Sequence, residues 1–167
     1  MTSCLGVGVI CAAGKYGQSG ATSASAATCS DCQPGKFASV AGLSACSDCE
    51  AGKFAGASSA STCSGQCFVG TFSNTPGAKP LSVCQACEAG KFSSNEGASA
   101  CNSCLGGKFS STKWGSSPDV CSACVAGKHS SAAEGSTTCI DCQQGKYSYG
   151  GSSSCDLCSS GTYSDSS

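Results

Sequence analysis

Eighteen cysteines carry most of the chemistry open to this sequence. Sixteen fall into tight pairs: Cys29/Cys32, Cys46/Cys49, Cys63/Cys67, Cys84/Cys87, Cys101/Cys104, Cys121/Cys124, Cys139/Cys142 and Cys155/Cys158. Cys4/Cys11 is a looser ninth pair. Thiols so spaced have three uses. Two pairs can supply four thiolates to a tetrahedral zinc, a single Cys-x-x-Cys can act as a redox couple, or the sulfurs can be joined as structural disulfides. Against zinc, nine pairs do not divide into two-pair sites. Glycine also comes three residues after the second Cys rather than directly after it, and the segments between pairs are rich in Ser, Ala and Thr, without the strands of a zinc ribbon. Against redox work, the pair recurs too often and no parallel-sheet pattern flanks it. Disulfides are the favoured reading, and they place the chain outside the cell or on its surface.

The pairing is open on sequence alone, because many connectivities are formally possible. A bridge within Cys-x-x-Cys would close a tiny, strained ring. Closing each long segment on itself is the better option, with Cys11–Cys29, Cys32–Cys46, Cys49–Cys63, Cys67–Cys84, Cys87–Cys101, Cys104–Cys121, Cys124–Cys139 and Cys142–Cys155. Such loops enclose 12 to 17 residues, and a bridge over a loop of that size contributes about 3 kcal/mol in the chain-entropy model. Cys4 and Cys158 are left over, each in an incomplete repeat. Two explanations are open: an excerpt from a longer array, or head-to-tail linkage of Cys158 in one copy to Cys4 in the next.

Other chemistry finds little support. His129 is the only histidine, and no paired-carboxylate pocket, phosphate loop or nucleophile–base pair can be argued, so the chain is expected not to be an enzyme and to need no cofactor. Asp31, Asp48, Glu50, Glu88, Asp141 and Asp156 lie between or beside cysteines, where solvation explains them.

The cysteines are positioned by a repeated word, Cys-x-x-Gly-Lys-aromatic-small. It begins at Cys11, Cys32, Cys49, Cys67, Cys87, Cys104, Cys124, Cys142 and Cys158. Gly14, Gly35, Gly52, Gly70, Gly90, Gly107, Gly127, Gly145 and Gly161 stand three residues on, where a positive φ or a close backbone approach is expected. A planar ring stands five on: Tyr16, Phe37, Phe54, Phe72, Phe92, Phe109, His129, Tyr147 and Tyr163. These rings are expected to form each unit's miniature core and to pack between repeats. Repeats are assigned to 11–31, 32–48, 49–66, 67–86, 87–103, 104–123, 124–141 and 142–157, with a closing half-repeat at 1–10 and an opening one at 158–167. Short extended segments carry Lys outward in seven copies, from Lys15 to Lys146. A lysine stripe could bind anionic glycans; the favoured reading is a solubilising edge that blocks stray strand pairing. Phe68 and Trp114 stand outside the word and are candidates for contact with a neighbour.

Composition bounds the rest. Of 167 residues 23 are Gly, and large aliphatic side chains are too scarce for a shared core. Units of about 17 to 20 residues fold alone only when stapled. The formal charge of −1 without a basic cluster argues against nucleic acid. No apolar run is long enough to span a membrane. The segment Leu5–Ile10 is a poor signal peptide, so any presequence is expected to be gone already or the chain to be an excerpt. No asparagine forms an N-glycosylation sequon, whereas the Ser/Thr-rich loops permit O-linked glycans or are plain polar loops.

The word, followed by a small polar stretch and Cys-x-x-Cys, resembles the ephrin-receptor-like cysteine-rich repeat and the first-disulfide module of tumour necrosis factor receptor ectodomains, from Cys11 to Tyr163. In those families the Cys before the Gly bonds the next long-range Cys, in agreement with the pairing above. The resemblance implies small disulfide-rich repeats: an elongated rod or solenoid of short loops and tiny β-hairpins with almost no helix, contacts running between neighbouring repeats. The function expected is an extracellular structural scaffold, the protomer of a fibre assembled head to tail with itself as partner. The alternative is a receptor or adhesin ectodomain binding a protein or glycan; a third reading is a zinc-binding Cys-x-x-Cys array.

Overall fold

The computed structural model describes residues 10–17, 28–79, 83–131 and 135–161. It is a series of eight antiparallel two-stranded hairpins, each crossed by a disulfide. The hairpins are β1 (Lys15–Tyr16) with β2 (Ser30–Asp31), β3 (Lys36–Phe37) with β4 (Ser47–Asp48), β5 (Lys53–Phe54) with β6 (Gly65–Gln66), and β7 (Thr71–Phe72) with β8 (Gln85–Ala86). They continue with β9 (Lys91–Phe92) and β10 (Asn102–Ser103), β11 (Lys108–Phe109) and β12 (Ser122–Ala123), β13 (Lys128–His129) and β14 (Ile140–Asp141), β15 (Lys146–Tyr147) and β16 (Asp156–Leu157). Helix is confined to short 3-10 turns, the fully described one being Pro118–Val120, capped by Ser117.

The repeated word explains each hairpin. The residue after the opening Cys accepts a hydrogen bond from the residue after the Gly, as in Lys36 N–H to Gln33 O at 3.0 Å, and this closes a β-turn. The Gly is the turn's third residue, with φ between 77° and 88° in all nine copies, as a type II turn demands. Lys and the ring then form the first strand. The second strand is the pair of residues just before the next opening Cys, so the spacer of Cys-x-x-Cys is itself a strand. Three extended residues separate the two sulfurs of a pair by roughly 10 Å along the chain, beyond the reach of a bridge. Each sulfur therefore turns to a different loop.

The core is sulfur and small side chains. Cys32, Cys49, Cys67 and Cys87 are wholly buried, and Cys11, Cys104 and Cys124 nearly so. With them are buried the residues six after seven of the opening cysteines: Ala38, Ala55, Ser73, Ser93, Ser110, Ser130 and Ser148. The described rings are only half-buried, apart from Tyr147, which is exposed. A two-residue strand gives a ring only partial cover, so the fully enclosed part of each repeat is sulfur and small side chains.

The chain divides into two units, Met1–Cys67 with Ser73–Cys84, and Phe68–Phe72 with Gln85–Ser167. The first holds the hairpins β1/β2, β3/β4 and β5/β6; the second holds the remaining five.

Candidate functional site

The site with a repeated, specific geometry is the junction between successive repeats. In the first unit, Gly14 N–H donates to Ala38 O at 2.9 Å, Gly17 N–H to Leu43 O at 3.0 Å, Cys32 N–H to Gly14 O at 3.0 Å and Gly42 N–H to Cys11 O at 2.8 Å. The next junction repeats all four bonds one unit on, with Gly35, Ala38, Cys49 and Ser59 as donors. In the second unit the same four recur at Gly127, Ser130, Cys142 and Gly151. The bond from an opening Cys N–H to the preceding motif-glycine carbonyl occurs eight times, at 2.8 to 3.0 Å. Side chains add to the backbone pattern: Ser130 Oγ donates to Lys108 O and Ser148 Oγ to Lys128 O, both at 2.8 Å.

The fourth donor marks a position that the sequence reading missed. It lies about ten residues after the opening Cys and has a left-handed backbone: Gly42 (φ 82°), Ser59 (59°), Gly77 (69°), Gly97 (69°), Trp114 (64°), Gly135 (79°) and Gly151 (78°). Five of the seven are glycine, a signal visible in the sequence once the loops are aligned from the opening Cys. Its carbonyl lies against the motif glycine two repeats back: Ser59 against Gly14, Gly77 against Gly35, Trp114 against Gly70, Gly135 against Gly90 and Gly151 against Gly107. A Cβ on Gly107 would overlap the Gly151 carbonyl. Contacts therefore reach the next-but-one repeat, and the expectation of neighbour-only contacts is corrected.

Longer loops keep this register. Cys104 to Trp114 is ten residues, like Cys87 to Gly97, and the extra length of the Cys104–Cys121 loop falls afterwards, where the 3-10 turn absorbs it.

The structure joins Cys11–Cys29, Cys32–Cys46, Cys49–Cys63, Cys67–Cys84, Cys87–Cys101, Cys104–Cys121, Cys124–Cys139 and Cys142–Cys155, with Cα separations of 5.5 to 5.8 Å. Cys158 has a free thiol, half-buried. Cys4 and Tyr163 lie outside the described residues. His129, Cys142 and Cys155 come within 4.8 Å of one another, the one such group of potential metal ligands among the described residues. Both of its sulfurs are spent in one bridge, so no thiolate is on offer. His129 Nδ1 instead meets Cys155 Sγ at 3.1 Å across the last junction, in the place of a packing ring.

The lysines face outward, and several are neutralised locally. Lys15, Lys36 and Lys128 pair across their hairpins with Asp31, Asp48 and Asp141 at 2.6, 2.7 and 2.7 Å, while Lys53 meets Glu50 at 3.2 Å. Hydrogen bonds from Lys15 and then Ser59 hold the Asp31 carboxyl below its ordinary range. Lys91, Lys108 and Lys146 stand opposite Ser103, Ala123 and Leu157 instead. Shallow hollows of about 330 to 360 Å³ recur between successive hairpins, each floored by one repeat's ring and edged by the next repeat's Lys, as with Phe37 and Lys53, Phe92 and Lys108, or Phe109 and Lys128.

Phe68 and Trp114 are 58% and 60% exposed. Trp114 holds the left-handed position, and its neighbour Lys113 pairs through Nζ with Glu88 at 2.9 Å.

No protein-family model matches the chain, and no curated protein matches its sequence. The chain is a tandem cysteine-rich hairpin repeat protein on its own geometry. Eight bridges are the mark of an oxidising, extracellular or secretory environment. Among the described residues, no helix is long and apolar enough to cross a membrane.

Proposed function

We propose that this chain is a non-enzymatic extracellular structural protein, built of repeats like those of ephrin-receptor and tumour necrosis factor receptor ectodomains, and that copies of it assemble head to tail into a surface fibre. The observation that carries the reading is the sameness of the junctions. Four backbone hydrogen bonds of fixed register join successive repeats, and backbone bonds do not depend on which side chains a neighbour brings. A heterologous contact of this kind adds units without closing a ring when its rotation does not close. Exposed Ser and Thr in the loops support O-linked glycosylation of such a surface protein, and intact mass with sugar increments tests that part. Electron microscopy and non-reducing electrophoresis of the native protein test the fibre. Filaments with a regular axial repeat, and a ladder that collapses on reduction, are the expected result; isolated particles and a lone monomer band overturn it.

A second reading, a ligand-binding ectodomain, is favoured by one observation. Trp114 puts a large exposed indole at a backbone position that suits glycine, and strain of this kind gathers at functional sites.

A further inference from the structure

We propose that the Cys142–Cys155 bridge is a thiol-exchange site, opened by low-molecular-weight thiols, with His129 as its proton carrier. The site is independent of fibre assembly. In three other repeats the ring five after the opening Cys stands near the closing Cys of the repeat that follows: Phe37 shares a hollow with Cys63, Phe92 with Cys121 and Phe109 with Cys139. His129 holds that place in its own repeat, and its Nδ1 lies 3.1 Å from Cys155 Sγ. The imidazole and the sulfurs of Cys142 and Cys155 all come within 4.8 Å of one another. The other eight rings at this position are Phe or Tyr. A bridged sulfur carries no hydrogen, so the contact runs from Nδ1–H to Sγ, and a phenylalanine has no proton to offer in its place.

Exchange proceeds by attack of a thiolate on one sulfur and departure of the other, and it is faster when the departing thiol is more acidic. An imidazolium beside a cysteine sulfur favours the thiolate. The step balances on the groups in place together with the entering thiol. The neutral ring takes the proton of the entering RSH, and RS⁻ attacks Cys142 Sγ. The new S–S bond forms as the Cys142–Cys155 bond breaks, and the electron pair leaves on Cys155 Sγ. That sulfur then receives the proton from Nδ1. The products are a mixed disulfide on Cys142 and a thiol on Cys155, with the ring neutral again. A second RSH releases RSSR and leaves both cysteines reduced. A Cys155 thiolate held against imidazolium also stabilises the open form, so this bridge is more readily reduced than its neighbours.

Glutathione redox buffers of graded ratio test the assignment on the full chain, with its free thiols alkylated beforehand. Sulfurs released at each ratio are trapped with a second alkylating agent and assigned to bridges by peptide mass spectrometry. Cys142–Cys155 is expected to open first, roughly tenfold ahead of Cys124–Cys139 in its equilibrium constant, or about 30 mV for a two-electron couple. His129→Phe should return it to the range of its neighbours. Phe109→His should bring Cys124–Cys139 forward by a similar factor. The second variant carries the imidazole to another repeat, so it separates the ring's effect from that of position along the chain. Intact mass before reduction, with all eight bridges closed, verifies the fold of each variant. The proposal is overturned if Cys142–Cys155 opens with or after the other bridges, if His129→Phe opens as readily as wild type, or if Phe109→His leaves Cys124–Cys139 unmoved.

Discussion

At the scale of single residues, two glycine positions govern the repeat, and each can be probed from its exception. Trp114 occupies the left-handed loop position without being glycine, at φ 64°. Left-handed backbone costs a bulky L-residue about 1 kcal/mol or more, so Trp114→Gly is expected to raise stability by about that much in urea titration. The opposite change, Gly107→Ala, meets the Gly151 carbonyl and a positive φ together; a loss of about 2 kcal/mol is expected in the same measurement. Asp31 gives a pH prediction. Its carboxyl is held below the ordinary range of about 3.9 by Lys15 and Ser59. The stabilisation is therefore present above that ordinary value and lost as pH falls through the lowered one. Calorimetry in acid should show wild type losing more of its midpoint than Asp31→Asn, with the two curves converging at the lowest pH.

At the scale of the element, the word Cys-x-x-Gly-Lys-aromatic-small was readable as one turn and one short strand because each of its residues has a local reason. Gly suits the turn, Lys and the ring alternate outward and inward, and the cysteines stand where a loop of 12 to 17 residues can be closed. That the x-x of the cysteine pair is the partner strand was not legible, since two residues carry no periodicity; only their pairing with Lys and the ring, as in Lys36 with Asp48, assigns them. The bridge is the chief stabiliser of such an element. Replacing Cys87 and Cys101 together by Ala is expected to cost about 3 kcal/mol, seen as a lower denaturant midpoint. Surface pairs such as Lys36–Asp48 are worth less than about 1 kcal/mol each, and Lys36→Met should shift the midpoint little.

At the scale of the whole molecule, each unit is held by bridges and by backbone bonds between its repeats, with little apolar burial behind them. The bridges take sixteen of the eighteen cysteines. Thiol titration of denatured, unreduced protein should therefore find no more than two reactive sulfurs. Full reduction is expected to expand the chain to the dimensions of an unfolded polypeptide, read as a larger hydrodynamic radius; a compact reduced form would mean that a core other than sulfur supports it.

The amino-acid order alone determined the hairpin repeat, its punctuation by glycine and its dependence on cysteine, because these are local consequences of backbone sterics and of how few large side chains there are. Tertiary structure decided how one repeat meets the next. A residue about ten past the opening Cys, such as Ser59, Gly77, Trp114 or Gly151, bends left-handed, bonds to one repeat and covers the glycine of another. Such contacts are made by peptide groups, which every residue carries, and so leave only the faint trace of a second recurring glycine.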